Sequence, residues 1–457
     1  MRNKDADTHI EQLRLVNFRR FESLAMTFEP DLCVLVASNG GGKTAVLDAI
    51  AGAWAFFLGG LIEASYPSRL SRDDVRKVVS ADNTMERSRA ATMEILATVD
   101  GKSAGWVEHL LASGKTATEV APGTADAFEL GRALWEAVID HAAGKRETAP
   151  LLPFIGYYGT GRLWNTEKKK ARRAAGKADT SRFSGYTDCL SPASSFRYFE
   201  DWFRRFAYET QSELASGRAS PHKPRERLAA VRGAAGKVLA PSGWQQLEWD
   251  FAEDVLVASH PDHGRLPVRM LSDGIRTMIG LAGDIAHRCV RLNPHLGAEA
   301  ASATPGVVLI DEVDMHLHPE WQQTVVPSVR AAFPGLQLIV TTHSHLVIST
   351  VPSRCVRILR EDGTVSIPAS ETEGYDSPFA LGTVFGVDPR PPGAIGQQLT
   401  RYRSLVEQGA GDSEEASLLR ATLLEHFGSN HPAILEVEGL RRLQAFKTRL
   451  GARRGES

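Results

Sequence analysis

Residues 37–44 read Ala-Ser-Asn-Gly-Gly-Gly-Lys-Thr and stand between an apolar run and a predicted helix. From Gly42 onward they match the P-loop pattern, although Ala37 replaces its first glycine. The backbone N–H groups of such a loop can surround phosphate oxygens, the lysine can reach the β- and γ-phosphates, and the threonine hydroxyl can bind Mg²⁺. The predicted ATP-binding residues are Asn39, Gly40, Gly41, Gly42, Lys43 and Thr44, with Thr44 also a metal ligand. An ordinary glycine-rich turn is the alternative.

A second set of reactive groups follows an apolar run much later in the chain. Residues 307–312 read Val-Val-Leu-Ile-Asp-Glu, which is typical of a buried strand whose end presents two carboxylates. Asp311 would bind Mg²⁺, and Glu312 would orient and polarise the water molecule that attacks the γ-phosphate. Such a run is a weak signal alone, but its place downstream of a P-loop favours ATP hydrolysis.

Two further motifs indicate the class of ATPase. Residues 271–274, Leu-Ser-Asp-Gly, open a predicted helix, and a plain helix cap at Ser272 is the simpler interpretation. The quartet resembles the signature of ABC ATPases, and this resemblance implies that Ser272 and Gly274 contact a γ-phosphate held by a second protomer. His343 resembles the switch histidine of that family, which senses the γ-phosphate, whereas a structural role is the alternative.

Several segments favour the SMC, Rad50 and RecF branch of the ABC-type ATPases. The segments that resemble this branch are residues 13–21 (LRLVNFRRF), 271–276 (LSDGIR), 311–319 (DEVDMHLHP) and 342–345 (THSH). Within them Asp314 is placed like the D-loop aspartate. His316 and His318 could suggest a metal site, but a structural role is favoured. The resemblance implies a homodimer or higher oligomer in which each ATP site is completed by the opposite protomer.

Residues 157–164 (YYGTGRLW) and 384–388 (VFGVD) resemble PtuA-type ATPases of Septu anti-phage defence systems, which pair with an HNH nuclease. This resemblance implies control of a partner nuclease that acts on foreign DNA. The chain itself contains no HNH signature, and no Q-loop glutamine is clear near residues 151–165. Three rivals stay open: a RecF-type DNA-repair ATPase, a transporter ATPase, which the N-terminal and signature motifs disfavour, and an ATP-binding scaffold with slow turnover.

The composition bounds these interpretations. With 457 residues, a formal net charge of −2 and 42% apolar residues, the chain can form a sizeable core but is no overall polycation for nucleic acid. Its four cysteines are isolated, which indicates neither a zinc site nor a disulfide framework. The polar N-terminus and the lack of an apolar run of about 18 residues predict a cytoplasmic protein that does not enter a membrane.

The hydrophobic pattern predicts an α/β fold. The resemblance to ABC- and SMC-type ATPases implies that this fold is an ABC/SMC head, with a mixed central sheet flanked by helices and an antiparallel β subdomain. Strands are predicted at 9–16, 24–28, 31–36, 151–158, 246–258, 307–310 and 336–341, with hairpins at 92–107 and 354–368. Helices are predicted at 45–58, 126–142, within 194–240, after 272, and over 319–333.

Four segments are predicted along the chain. They are a nucleotide-binding lobe at 1–160, a basic loop and helical insertion at 161–240, a second ATPase lobe at 241–370 and a helical tail at 371–457. Residues 162–182 hold eight Lys/Arg against two acidic residues and read as a mobile loop. This loop could contact DNA, although a solvated insertion is at least as plausible.

Overall fold

The computed structural model describes residues 7–454 except 63–69, 80–81, 162–180, 193–195, 221, 376–381, 383 and 387–392. The chain forms two compact units, Met1–Phe385 and Gly386–Ser457. Nearly all of the basic loop predicted at 162–182, and the Pro-rich break predicted at 389–392, lie outside the described residues. The finer division at residues 160, 240 and 370 stays a prediction.

A six-stranded sheet forms the centre of the first unit. In sheet order its strands are β16 (Val365–Ser366), β15 (Val356–Leu359), β3 (Leu32–Val36), β14 (Leu336–Thr341), β13 (Gly306–Ile310) and β9 (Phe154–Tyr158). All pairs are parallel except β15 with β16. Every residue of β3, β9, β13 and β14 is buried, as their predominantly apolar sequences predict. The carboxyl ends of β3, β13 and β14 therefore bring residues 37–44, 311–319 and 342–345 to one edge.

A five-stranded antiparallel sheet forms the predicted β subdomain. In sheet order its strands are β2 (Phe21–Thr27), β1 (His9–Phe18), β6 (Ala90–Val99), β7 (Lys102–Leu111) and β8 (Thr116–Val120). Asp100 and Gly101 turn the hairpin between β6 and β7, and both have positive φ, 49° and 71°. Two positive φ angles match the twist of a two-residue hairpin, so the hairpin predicted at 92–107 is confirmed.

Two smaller sheets belong to the same unit. They consist of β10 (Gln245–Asp250), β11 (Val255–His260) and β12 (Gly264–Pro267), and of β4 (Lys77–Val79) with β5 (Met85–Arg87). The strand signal at 246–258 thus corresponds to an antiparallel pair, β10 and β11, rather than to one long strand.

Helices pack around these sheets. Those of the first unit are α1 (Lys43–Leu61), α2 (Ala127–Ala142), α3 (Phe196–Ser216), α4 (Pro224–Leu239), α5 (Asp273–Leu292), α6 (Ala300–Ala303), α7 (Pro319–Gln322), α8 (Val325–Ala332) and α9 (His345–Ile348). The length and mean hydropathy of α1 would suit a membrane span, but 78% of its apolar window is buried inside the protein, as in a core helix. It packs on α2 at Gly60 and Gly131, where a Cβ atom would strike the other helix's backbone.

The helices α3 and α4 of the predicted insertion pack on α5. A Cβ atom at Gly283 of α5 would lie 2.5 Å from the Phe199 ring, so the two helices approach as closely as glycine allows. Burial of Phe199, Phe203 and Val231 continues this contact into the main apolar core. The insertion is therefore part of the packing that holds α5 in place.

The single helix predicted over residues 319–333 is wrong. The structure has two short helices, α7 and α8, with Gln323 and Thr324 in a turn between them. Pro327 supplies the reason, because it lacks a backbone N–H and its ring would clash with the carbonyl of Gln323 in a continuous helix. The other predicted elements are confirmed, with boundaries that differ by a few residues.

The described residues of the second unit form three helices. They are α10 (Ala394–Glu407), α11 (Glu414–Phe427) and α12 (Pro432–Arg454). Tyr402, Leu405, Leu423 and Val437 form part of its own apolar core. A charged helical tail was predicted here, and the separate core shows why those helices are amphipathic.

Candidate nucleotide-binding site

The glycine-rich loop between β3 and α1 has the backbone shape that phosphate binding needs. Gly40 and Gly42 have φ of 72° and 92°, which side chains of L residues rarely adopt. A Cβ atom at Gly42 would also strike the Phe21 ring, and one at Gly41 would strike the Cβ atom of Ala37. The loop is thus confined to glycine by conformation and by close contact. It ends at the N-terminus of α1, where unpaired N–H groups favour an anion.

Lys43 begins α1 and is 6% exposed. Its Nζ atom donates hydrogen bonds to the carbonyl oxygens of Ala37 at 3.1 Å and Ser38 at 3.5 Å. Burial lowers the pKa of Lys43, while the neighbouring carboxylates, Asp311 first among them, act in the opposite direction. The ammonium therefore lies folded over the loop, held only by carbonyl oxygens that a phosphate could replace.

Thr44 and Asp311 come together from positions 267 residues apart. The Thr44 Oγ1 atom donates to Asp311 Oδ2 at 2.9 Å, and the Thr341 Oγ1 atom at the end of β14 donates to Asp311 Oδ1 at 2.6 Å. The Asp311 N–H donates to the Tyr158 carbonyl at 2.8 Å. A hydroxyl and a carboxylate beside phosphate-binding N–H groups are the oxygen donors that Mg²⁺ prefers, so these residues fit the predicted metal ligands.

Glu312 follows Asp311 in a left-handed conformation with φ of 48°. Its N–H donates to Thr341 Oγ1 at 2.8 Å, so a single hydroxyl orients both neighbouring acidic residues. The Glu312 side chain is only half-buried, whereas Asp311 is 4% exposed. This difference suits their predicted roles, because a metal ligand must be fixed and a water-activating carboxylate must reach solvent.

The segment after Glu312 is held by the next loop. Thr342 Oγ1 donates to Asp314 Oδ1 at 2.5 Å, and Ser344 Oγ donates to Gln322 Oε1 at 2.7 Å. His343 lies between these two anchored residues and is exposed. Its side chain therefore projects from a fixed backbone, although its role as a γ-phosphate sensor stays a prediction.

Ser272 is at the N-cap of α5 but its side chain makes no capping hydrogen bond. The plain-cap interpretation thus fails at the hydroxyl, which is exposed. Gly274 is explained within the chain, because a Cβ atom there would lie 2.7 Å from the carbonyl oxygen of His316. This contact joins the LSDG quartet to the segment after Asp311, while the predicted contact of Ser272 and Gly274 with a nucleotide stays untested.

Sequence reasoning missed two arginines beside the loop. The Arg20 guanidinium donates to the carbonyl of Gly40 and, at 3.2 Å, to that of Glu361. Arg19 pairs with Asp48 of α1 at 2.8 Å and with Asp74 at 2.7 Å. Both arginines belong to the LRLVNFRRF segment, which resembles the SMC and RecF branch. Only the fold shows that this segment contacts the P-loop. Thr341 was missed too, since a threonine at a strand end carries no signal.

Two protein-family models match the chain. A model described as "AAA domain" matches residues 12–209, and one described as "AAA domain, putative AbiEii toxin, Type IV TA system" matches residues 188–349. Together they span the P-loop, the LSDG quartet and the strand that ends in Asp311, each model covering less than half of the chain.

Individual relatives point the same way. Retron Ec83 probable ATPase from Escherichia coli is 38% identical over 174 residues, 38% of this chain and 32% of that protein. Septu protein PtuA from Bacillus mycoides (strain KBAB4) is 40% identical over 92 residues, 20% of this chain and 12% of that protein. The matched part of the chain thus spans about a third or less of the length of these relatives.

Among solved structures, an SMC head bound to the C-winged helix domain of ScpA aligns with 79% of this chain and 97% of its own. The TM-score is 0.46 and the identity 16%. The grounds for a family resemblance are the P-loop, the Asp-Glu strand end and the LSDG quartet, together with the family and sequence matches. On these grounds the chain resembles the SMC- and RecF-like ATPases, with a further resemblance to the retron ATPases and to the Septu protein PtuA.

Proposed function

We propose that the chain binds ATP with Mg²⁺ in the loop 37–44, hydrolyses it, and uses the cycle to control a partner effector. The observation that carries this proposal is the hydrogen-bond chain Thr44–Asp311–Thr341, which assembles the metal ligands at the phosphate loop. When bound, Mg²⁺ would neutralise charge on the phosphates. The chain's own residues do the rest: Lys43 binds phosphate, Asp311 and Thr44 hold the metal, and Glu312 orients the attacking water.

Ser272 is the residue that suggests a second protomer. Its hydroxyl is exposed and unused as a cap, and Gly274 packs on the His316 carbonyl rather than on the P-loop of the same chain. We infer that the LSDG quartet completes the ATP site of an opposite protomer, with His343 sensing the γ-phosphate. ATP would join two chains, and hydrolysis would release them.

The partner is proposed from the resemblance of residues 157–164 and 384–388 to PtuA-type ATPases. This resemblance, together with the similarity to a retron ATPase and a Septu protein, supports a function in anti-phage defence, with an HNH-type nuclease as the effector and foreign DNA as its target. A cytoplasmic location follows from the same proposal. RecF-type binding to DNA ends or gaps without a partner, or ATP retained for long without turnover, would favour the two rival functions.

The first test replaces the carboxylate that orients water. Glu312→Gln keeps the side-chain shape and leaves Asp311 in place, so it should bind ATP, release phosphate about 100-fold more slowly and accumulate in the ATP-joined state. Phosphate release and sizing with ATP or ADP measure both effects. Glu320→Gln, at an exposed position of α7, is the matched control. Hydrolysis at the wild-type rate by Glu312→Gln would contradict the role of Glu312.

The second test concerns sharing of the site. Ser272→Arg places a bulky cation at the proposed contact with the opposite γ-phosphate, so ATP binding should survive while hydrolysis falls at least about tenfold. Mixed with Lys43→Ala, it should regain part of the activity, since one composite site then combines an intact P-loop with an intact quartet. Full activity of Ser272→Arg alone would reduce LSDG to a helix start. No regain after demonstrated subunit exchange would mean that both sites must fire together or that Ser272 acts within its own chain.

A further inference from the structure

The helix α12 has apolar side chains on two sides. Its inner side contributes to the core of the second unit. On the other side, Leu435, Leu443 and Phe446 are 56%, 49% and 60% exposed. At about 100° of rotation per residue, these three side chains lie within roughly 80° of one another around the helix axis. With the exposed residues Gly439 and Arg442 beside them, they form the outer stripe of α12.

Covering the outer stripe would add to a small apolar core. In the part of the second unit that the structure describes, this core consists of seven buried residues. Small units seldom bury enough apolar surface on their own and often complete their core by association. A group of large apolar side chains exposed on one helix face is typical of a contact with another helix. The outer stripe therefore indicates a helix-binding surface.

The charges along the outer stripe favour a second copy of α12 as the helix that covers it. Glu436 and Glu438 lie before the middle of the stripe, and Arg442 lies after it. Two parallel copies would place each Arg442 beside the other and each glutamate beside its counterpart, which is repulsive. Two antiparallel copies instead place the glutamates of each helix near Arg442 of the other.

The apolar residues fit the same antiparallel arrangement. When Leu435 lies opposite Phe446 of the other copy, the spacing places Arg442 opposite Gly439. A Cβ atom at Gly439 would have nothing within 4 Å, so the surface is open there and leaves room for the arginine stem. The two-fold symmetry repeats every contact, so Leu435 and Phe446 meet at both ends of the stripe. Shape and charge thus agree on one register.

We propose that two copies of the chain associate through the outer stripes of antiparallel α12 helices, with or without nucleotide. This association is separate from the proposed ATP-dependent contact through Ser272 and does not rest on it. Hydrolysis would then part the two ATP sites without dispersing the chains. Tethered chains meet again at a higher effective concentration than free ones, so the outer stripe would favour repeated cycles of joining.

Sedimentation of the full chain in nucleotide-free buffer tests this association. The wild type should be a dimer at micromolar concentration. Phe446→Glu should raise the dissociation constant at least about 100-fold, because the two-fold symmetry removes both rings at once. Leu418→Glu is the matched control, since Leu418 is 72% exposed on a different helix, α11, and it should leave the dimer intact. Both positions are exposed, so circular dichroism should show that both variants are folded.

Cross-linking tests the register of the two helices. Leu435→Cys in one chain and Phe446→Cys in another should be joined by a short thiol cross-linker after the two proteins are mixed, whereas either variant alone should cross-link weakly. The four native cysteines are buried and should not interfere. Cross-linking of each variant alone, without the mixed product, would show parallel helices and overturn the proposal.

Lys43→Ala separates this association from the proposed function. A chain that cannot bind ATP should still form the α12 dimer, and ATP-dependent joining becomes measurable by itself in chains that carry Phe446→Glu. A wild-type chain that is monomeric without nucleotide, or a Phe446→Glu chain that stays dimeric, overturns the proposal. Dimers of Lys43→Ala that bind ATP as tightly as the wild type would support the α12 contact and contradict the proposed function instead.

Discussion

Two polar clusters of the first unit contain similar residue types but differ in what their charged groups contact. The strand-end cluster of Lys43, Thr44, Asp311 and Thr341 hydrogen-bonds its lysine to carbonyl oxygens alone. The helix cluster of Tyr158, Asp284, His287 and Arg288 pairs its carboxylate with a guanidinium 2.8 Å away. A cluster whose cation is hydrogen-bonded to neutral carbonyl oxygens can accept an anionic ligand, whereas one whose cation is hydrogen-bonded to a carboxylate holds the fold.

The largest effect is expected at the strand-end cluster. Lys43→Ala should weaken ATP binding by about 3 kcal/mol, roughly 100-fold, because a charge-assisted contact with the phosphates disappears. The free energy of unfolding without nucleotide should hardly fall, since in the part of the chain that the structure describes this lysine is hydrogen-bonded to carbonyl oxygens and forms no salt bridge like that of Arg288 with Asp284. Calorimetric titration and denaturant unfolding measure the two quantities. Lys102→Ala, on the exposed start of β7, should change neither, and unchanged ATP affinity in Lys43→Ala would show that the loop is not the binding site.

A smaller effect is expected at Thr341, which orients the acidic residues of the strand-end cluster. Thr341→Val removes the hydroxyl that holds Asp311 and the Glu312 N–H. The variant should lower kcat about tenfold and weaken Mg²⁺ binding, so that its activity saturates at a higher Mg²⁺ concentration. ATP affinity should stay within a few-fold of wild type, because Lys43 is untouched. Thr116→Val, at an exposed position of β8, controls for the strand substitution. An unchanged Mg²⁺ dependence would show that Thr341 is merely a core residue.

The smallest effect is a pH dependence of stability at the helix cluster. Burial lowers the pKa of His287 to about 4, against an ordinary value of 6.5, while Asp284 acts in the opposite direction. The folded chain therefore binds fewer protons than the unfolded chain between these values, and stability is lost as pH falls through that window. Between pH 6.5 and 5.5 this amounts to about 1 kcal/mol. His287→Phe, which keeps a ring against Trp202, should abolish that part of the slope.

Glu108 is a control whose effect on the pH dependence of stability has the opposite sign to that of His287. Burial raises its pKa to about 7 from an ordinary 4.5, so this residue favours the folded chain more as pH falls through that range. Glu108→Gln should therefore stabilise the protein most above pH 7 and least below pH 4.5. Unfolding measured over pH 4.5–8 for both variants separates the two contributions. Parallel slopes in His287→Phe and wild type would show that His287 is protonated in the fold.

The sequence predicted this molecule best where the pattern is local. The predominantly apolar runs at β3, β13 and β14 specify strands, and the glycines of residues 37–44 specify a turn just before a helix. Thr44, Asp311 and Glu312 could be named for the same reason, since each ends or follows such an element. Parallel strands then had to bring them to one edge.

What the sequence could not predict depends on distant contacts. Arg20 reaches the Gly40 carbonyl, and Tyr158 reaches Asp284 across 126 positions, only because the sheet and helices are already packed. Glu312 and His316 have positive φ angles, and because neither residue is a glycine, the sequence does not indicate these conformations. Pro327 was different, because its effect on the helix predicted over 319–333 follows from local geometry and was overlooked.

The order of strands in the six-stranded sheet also governs how the chain is made. Leu32 of β3 pairs with Leu338 of β14, 306 positions later, so the first strand of the sheet meets its neighbour only when most of the chain has been synthesised. At about 5–20 residues per second, β3 waits roughly 15–60 s with its apolar side chains uncovered on the ribosome. Slow, non-local pairing of this kind favours aggregation over folding when many unfinished chains are present at once. Expression at reduced temperature or with abundant chaperones should therefore govern the yield of this protein more than the stability of its finished core.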